Sequence, residues 1–395
     1  MSLAPVGTET LRRQNTARVL RSLREEGPAG RARLAELTGL SRATVGAIVA
    51  DLTERTIATE GSSRAQGRGR PVRPVALRPG AVLGLGMEVN VDYVAAAAVD
   101  LAGRVVATRT RPSDVDGAVD GVGRLGAELV EELGEDRFVG ACLAVPGLIE
   151  RDHRTVAWAP NLRWEGVRPS ESLRRHLGPD LGQDVVVEND ANLAALAEAH
   201  HGAALDHQHA LYLTGTIGLG GGILESGRLV RGGGGFAGEI GHLPFGDRDA
   251  ECGCGRRGCW EASVGLEAML ELTGEPAHDD PVAAAASVAA RSDEASVRRA
   301  LEELGRRVGL GIASLASILD PDVVVLGGYF APLSPWLLPS ADAALLERLP
   351  TAGRRRPTLR AGALGIDAAA LGAAEHALGA VLDGTAALPD PSVVA

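Results

Sequence analysis

Three of the four cysteines in this 395-residue chain fall within eight residues, at Cys252, Cys254 and Cys259. The stretch Cys252-Gly253-Cys254-Gly255-Arg256-Arg257-Gly258-Cys259 is too glycine-rich for a comfortable helix or strand, yet it can wrap its thiols around one ion. A closed zinc site needs four ligands, and His242 lies ten residues before Cys252. The expectation is a structural zinc site of the Cys3His type, with three free thiols as the other reading. Cys142 stands alone in an apolar run and reads as core.

Two polar clusters could handle a polyhydroxylated ligand. Glu188-Asn189-Asp190-Ala191-Asn192 puts two acids and two amides at a strand-to-helix junction. They can hold several hydroxyls by paired hydrogen bonds, or Asn189 or Asp190 can simply cap the helix. In Gly238-Glu239-Ile240-Gly241-His242, the Glu and the His are three apart and share a face if the segment is helical. Flanking glycines let a ligand approach the backbone, although a plain surface Glu and His fit equally well. Glycine sets at Gly218 and Gly220–Gly222, Gly232–Gly235 and Gly327–Gly328 can cradle phosphate or serve as ordinary turns.

These clusters need strand ends to hold them. Strands are expected at 82–89, 93–99, 104–109, 138–145 and 185–187. Helices are expected at about 115–133 and, following the Glu188–Asn192 cluster, through about His200. A second lobe follows, with strands at 210–214, 221–224 and 322–326 and helices at 301–318 and 368–382. Strands alternating with helices imply an α/β fold of mixed sheets covered by helices. Polar sites in such folds sit at strand ends, where these clusters fall.

The first 78 residues differ in character. They hold 14 Arg and 7 acidic residues, whereas the whole chain carries a net charge of -11. A basic head on an acidic body points to a polyanion met by the head alone, or to a basic tail without a partner. A helix at 15–25 ends at Gly27-Pro28, and a short helix follows at 31–37. Thr38-Gly39-Leu40 then makes a turn before a Ser41-capped helix at 42–54. That is the helix-turn-helix pattern. It would bring Ser41, Arg42 and Thr44 to the base edges of the major groove. Strands at 57–60 and 72–77 flank a Gly/Arg/Ser stretch that holds Arg64, Arg68 and Arg70. It reads as a wing with Arg68 and Arg70 along the phosphates or in a minor groove, or as a linker. Arg residues interrupt the N-terminal apolar run and no long apolar run exists. The expectation is therefore a cytoplasmic protein with no membrane partner. The tail from about Thr385 carries no readable signal and is expected to be disordered.

Together these residues resemble the ROK family of repressors, open reading frames and kinases. The resemblance rests on Pro146-Gly147, Pro160-Asn161-Leu162, Glu188–Asn192, Gly238–His242 and Cys252–Glu261, and it covers nearly the whole chain. It implies a winged helix-turn-helix over residues 1–80, then a two-lobed actin-like ATPase (ribonuclease H-like) fold. The lobes would be 81–189, with a C-terminal helix at about 368–384, and 190–367. It further implies a homodimer or homotetramer. Gly147, Asn161, Asn189, Asp190, Glu239, His242 and Glu261 would contact a sugar. His242 would also ligate zinc with Cys252, Cys254 and Cys259. In kinase members, the position of Asp190 is the general base.

The phosphate side departs from the kinases of the family. Their opening Asp-x-Gly-Gly-Thr loop is replaced here by Glu88-Val89-Asn90-Val91-Asp92, and Ile217 stands where a second hydroxyl is expected. The expectation is a sugar-responsive repressor rather than an enzyme. It would bind operator DNA and release it when a sugar or sugar phosphate closes the lobes. An ATP-dependent sugar kinase with an added DNA-binding head is the alternative. A DNA-bound scaffold without a ligand would leave Asp190, Glu239 and His242 unexplained.

Overall fold

A computed structural model describes residues 7–61, 73–278, 280–349 and 356–389. The chain divides into two compact units. The first comprises Met1–Val145, His153–Glu188 and Ala373–Ala395, and the second Pro146–Asp152 and Asn189–Gly372.

The first unit opens with helix α1 (Thr8–Glu26), longer than expected, which buries Ala17, Val19, Leu20 and Leu23 and stops at Gly27, φ 76°. A two-residue strand β1 (Ala29–Gly30) leads into α2 (Arg31–Thr38), which ends at left-handed Gly39. Helix α3 (Arg42–Glu54) starts at Ser41, whose hydroxyl accepts the Thr44 N–H at 3.1 Å. Its inner face is Val45, Ile48, Val49 and Leu52, the set its spacing predicts. Strands β2 (Ala58–Glu60) and β3 (Pro74–Leu77) pair antiparallel, and β1 pairs antiparallel with the other edge of β3. This is the framework of a winged helix. The tip, with Arg64, Arg68 and Arg70, lies outside the described residues.

A five-stranded sheet follows. Strands β4 (Leu83–Val89), β5 (Tyr93–Asp100) and β6 (Val105–Pro112) form an antiparallel meander. Helix α4 (Ala118–Leu133) then leads to β7 (Phe138–Val145), parallel to β4. After β8 (Leu148–Ile149), which belongs to the second unit, β9 (Val156–Ala159) and β10 (Trp164–Val167) make a hairpin. Helix α5 (Ser170–Gly182) and strand β11 (Val186–Asn189) complete the layer, in the order β11-β7-β4-β5-β6. Strand β4 is buried at every position, as a central strand must be. Cys142 lies buried in β7.

The second unit repeats the plan. Helix α6 (Asp190–His201) precedes the meander β12 (Ala210–Gly215), β13 (Leu219–Glu225) and β14 (Arg228–Leu229). Helices α7 (Glu261–Val264), α8 (Leu266–Thr273), α9 (Pro281–Ala290) and α10 (Ala295–Leu319) come next. Strand β15 (Val323–Gly328), helix α11 (Phe330–Arg348) and strand β16 (Thr358–Ala361) finish the sheet, in the order β14-β13-β12-β15-β16. Counted along the chain, both sheets read 3-2-1-4-5. The core gathers Trp260, Tyr329 and Phe330 with Leu301, Leu304 and Ile312.

Helix α12 (Ala368–Leu382) starts in the second unit, up to Gly372, and ends in the first. The expected disorder from Thr385 does not hold as far as Pro389: Thr385 N–H donates to Ala380 O at 2.9 Å, and Arg55 Nη1 donates to Pro389 O at 2.9 Å. Among the described residues, no helix is long and apolar enough to cross a membrane.

Glu198, buried on α6, ties the second unit together. One carboxyl oxygen accepts Ala203 N–H at 2.6 Å, and the other accepts Ala363 and Leu364 N–H at 2.8 and 3.2 Å. Glu198→Ala would strand three backbone donors, at about 1–3 kcal/mol for each that stays dry. The urea midpoint should therefore fall by the equivalent of about 3 kcal/mol or more. A midpoint within error of the parent protein would show that these donors find water instead.

Candidate functional site

The loop from His242 to Glu261 converges on four donor atoms. The ligand atoms of His242, Cys252, Cys254 and Cys259 all lie within 4.8 Å of one another. Cys252 Sγ is 3.7 Å from His242 Nδ1, and Cys254 Sγ is 3.7 Å from Cys259 Sγ. Zinc–sulfur bonds of about 2.3 Å in a tetrahedron place ligand atoms about 3.7 Å apart. The residues therefore fit a structural zinc ion. Burial pushes the Cys252 thiol up to about 12 and raises Cys259. Burial acts the same way on Cys254, but hydrogen bonds led by the Arg256 guanidinium outweigh it and bring that thiol down to about 6. Among the three, Cys254 is the thiol that ionises most readily, the form in which a cysteine binds a cation.

The same loop sets its flanking side chains. Trp260 is fully buried and donates its indole N–H to Arg307 O at 3.3 Å. That fixes Glu261 at the head of α7. One Glu261 oxygen accepts Leu219 N–H at 3.0 Å, and the other accepts from the Cys252 thiol at 3.4 Å. Gly218 is what permits this approach, because a Cβ there would overlap the Glu261 carboxyl. Ile240–His242 is a 3-10 turn, so Glu239 and His242 fall one turn apart and share a face.

The acids and amides meet from the other side. Asn189 caps α6: its Oδ1 accepts Asn192 N–H at 3.1 Å, while its Nδ2 donates to Gly147 O at 3.2 Å. Capping and a polar role for this residue are thus compatible. Asp190 is the first residue of the helix. Burial raises its carboxyl to about 6, partly opposed by the N–H groups of Ala191 and Asp190 itself. Glu239 keeps solvent contact, yet desolvation raises its carboxyl; His242 lowers it, and the charges of Asp190 and Glu261 raise it further. A pocket is lined by Gly147, Asn189, Asn192, Gly221, Gly238 and Glu239. Gly238 adopts φ +102°, and a Cβ there would press on Gly221 O at 2.5 Å.

Gly147, Asn189, Asp190, Glu239, His242 and Glu261 all belong to the second unit. Asn161 belongs to the first, exposed in the 3-10 turn Pro160–Leu162. Asn192 lines the pocket and was not among the residues singled out from sequence, although its neighbours were. The glycines at 218 and 220–222 serve close packing of β13 against Glu261, Ile240 and Ala191.

On the head, Ser41 and Thr44 are joined through their hydroxyls at 2.8 Å. Arg42 is exposed and, among the described residues, takes part in no ion pair.

Comparison with known proteins fits this geometry. Residues 84–379 match the model of the ROK family. The chain is 27% identical over 345 residues to the xylose repressor of Bacillus subtilis, covering 86% of this chain and 88% of that one. It resembles the crystal structure of a ROK family transcriptional regulator, a homologue of the E. coli MLC protein, with a TM-score of 0.78. That likeness, at 22% identity, spans 95% of this chain and 98% of the other and shows the fold. A ROK family glucokinase from Streptomyces griseus, solved with glucose and AMPPNP, is similar over 74% of this chain and 98% of its own, at 28% identity and a TM-score of 0.62.

The Asp190 carboxyl should titrate near pH 6 in the ligand-free protein. Carbon-13 NMR of aspartate-labelled protein, assigned by comparison with Asp190→Asn, would read the midpoint. A value close to the ordinary 3.9 would show that burial does not act on this group.

Proposed function

The chain belongs to the ROK family, and from that premise we propose that it is a sugar-responsive transcriptional repressor that binds operator DNA through its winged helix. The observation that carries this reading is the pairing, in one chain, of a helix-turn-helix head with a polar pocket lined by Asn189, Asn192 and Glu239, where Asp190 follows Asn189 in the chain. The similar xylose repressor spans both parts, which supports the same division of labour here. We assign the effector, a free or phosphorylated sugar, to Asn189, Asp190, Glu239, His242 and Glu261, with Gly147 and Asn161 as further contacts. Carboxylates and amides suit hydroxyls because each accepts or donates in pairs. The DNA contacts are Ser41, Arg42 and Thr44 in the major groove, with Arg68 and Arg70 on the backbone or minor groove. Of these, Arg42 is suited to a bidentate guanine contact, worth about 1–3 kcal/mol of discrimination. The protein would act as a homodimer or homotetramer on a palindromic site.

Zinc held by His242, Cys252, Cys254 and Cys259 would supply a fixed crosslink. Glu261 and the imidazole of His242 are then held toward the ligand by the loop that carries them. An effector shifts DNA binding only through its different affinity for two states of the protein; a 100-fold effect needs about 3 kcal/mol.

A sugar kinase is the second reading, favoured by one observation. A carboxyl raised to about 6 is well placed as a general base near neutral pH. Against it stands the first phosphate segment. Glu88 is buried and accepts the Tyr93 hydroxyl at 2.6 Å, and Asn90 Nδ2 donates to that hydroxyl at 3.1 Å. If this segment matches the phosphate loop of the family's kinases, as the resemblance implies, these side chains stand in place of its glycines and the Glu88 carboxylate disfavours a triphosphate there.

A coupled ADP-release assay across hexoses, pentoses and amino sugars should show no turnover above background, and steady turnover would favour the kinase. In the same preparations, Asp190→Ala should lose at least tenfold in sugar affinity; an unchanged affinity would remove Asp190 from the site. Elemental analysis should find about one zinc per chain. Chelation or Cys254→Ser should weaken sugar binding more than DNA binding, and zinc-free protein with full sugar affinity would refute the metal assignment.

A further inference from the structure

We propose that the ion pair between Arg24 and Glu375 is the joint through which the C-terminal helix governs the DNA-binding head, so that the sugar response depends on it more than DNA affinity does. The inference rests on the repressor reading above and adds a named element of regulation to it.

The pair closes a separation of 351 residues. Arg24 Nη2 donates to both Glu375 oxygens, at 2.6 and 2.7 Å. The side chains are only 10% and 2% exposed. Two charges withdrawn from water gain little net stability over an apolar contact, but losing either partner is costly. Such a pair therefore enforces one arrangement rather than adding bulk cohesion. Arg24 sits in the last turn of α1, one residue past the buried Leu23. Its guanidinium also lies against Gly103 in the β5–β6 turn, where φ is +78° and a Cβ would stand 3.3 Å from Nη2. Three elements of the first unit thus confine one guanidinium: α1, α12 and the β5–β6 turn.

The contact continues beyond the pair. Arg21 meets Asp383 at 3.5 Å. Gly384 rests on the backbone of Arg13 and Gln14, where a Cβ would come within 2.9 Å. Arg55, at the C-terminal end of α3, donates to Pro389 O. The segment 375–389 therefore grips both α1 and the end of the helix assigned to the major groove.

The opposite end of α12 answers to the effector side. Gly372 is seated on α6, where a Cβ would overlap the Leu193 carbonyl. Glu198 of α6 holds the backbone of Ala363 and Leu364, just ahead of α12. Helix α6 is the one that opens with Asp190. A displacement of α6 has a packed route to α12, and α12 has a charged joint to the head. Coupling of this kind needs an element whose two arrangements both sites bias. The Arg24–Glu375 joint is the narrowest place to cut it.

The test uses full-length protein, operator DNA, and D-xylose and D-glucose as probes. Arg24→Gln and Glu375→Gln should bind DNA within about threefold of the parent protein, bind sugar unchanged, and lose at least tenfold of the sugar effect on DNA. The exchanged pair Arg24→Glu with Glu375→Arg should recover a substantial part of that effect. Single variants that release DNA on sugar as the parent does would overturn the proposal. Hydrogen exchange gives a reading independent of any sugar. The amides of α1 should exchange at least tenfold faster in both single variants and slow again in the exchanged pair. Unaltered exchange in the single variants would also overturn the joint. A parent protein deaf to every sugar, yet with this exchange pattern, would keep the joint and sink the effector reading instead.

Discussion

The loop that carries His242 and Glu261 has almost no regular structure to hold it, so its shape rests on a few turn hydrogen bonds, such as Trp260 N–H to Leu243 O at 2.8 Å, and on four donor atoms brought within 4.8 Å. The placement of His242 and Glu261, two of the residues assigned to the effector, depends on that convergence. His242 is both a member of the cluster and the end of the turn that begins at Glu239. Glu261 follows directly on Cys259 and Trp260, one a cluster member and the other a buried anchor. A loop without helix or strand can position two polar side chains only if something other than its backbone ladder fixes it. Thiols, imidazole and one indole do so here.

The remaining polar groups are set by a single helix end. Asn189 and Asp190 stand where β11 gives way to α6, and the Asn189 amide closes both the helix cap and the contact to Gly147. The helix N-terminus supplies N–H groups that ease the burial of Asp190, yet burial still dominates. The site therefore keeps a raised carboxyl next to a second raised carboxyl at Glu239. Hydroxyl groups of a ligand would relieve that crowding by donating to both. Where β4 turns into β5, Glu88, Tyr93 and Asn90 hydrogen-bond to one another instead.

Local signals made much of this legible in the sequence. Ser41 announced α3, because an N-cap and an apolar i, i+3, i+4 face are both short-range patterns. The three cysteines lay within one loop, and their histidine was close by in the chain. The apolar run at 138–145 became β7 with the same bounds. What stayed hidden depended on distance or on an exception. Helix α11 contains Pro335 and Pro339 and gave no helical signal, although it packs Phe330, Leu333, Leu337 and Leu345 into the core. Glu198 looked like one more helix acid, and its partners Ala363 and Leu364 lie far along the chain. Arg24 looked like one more basic residue of the head. Nothing in its neighbourhood marks the partner at Glu375 or the ordered turn after Thr385.

The central claim is that one chain joins sugar recognition to DNA recognition. Fluorescence anisotropy tests it most directly, using purified protein, labelled DNA from upstream of its own gene and the neighbouring genes, and a sugar panel titrated in at fixed salt. The account predicts specific binding to one such fragment and its release by one sugar or sugar phosphate. Specific binding that no sugar or sugar phosphate alters, or no specific binding to any fragment, would contradict it.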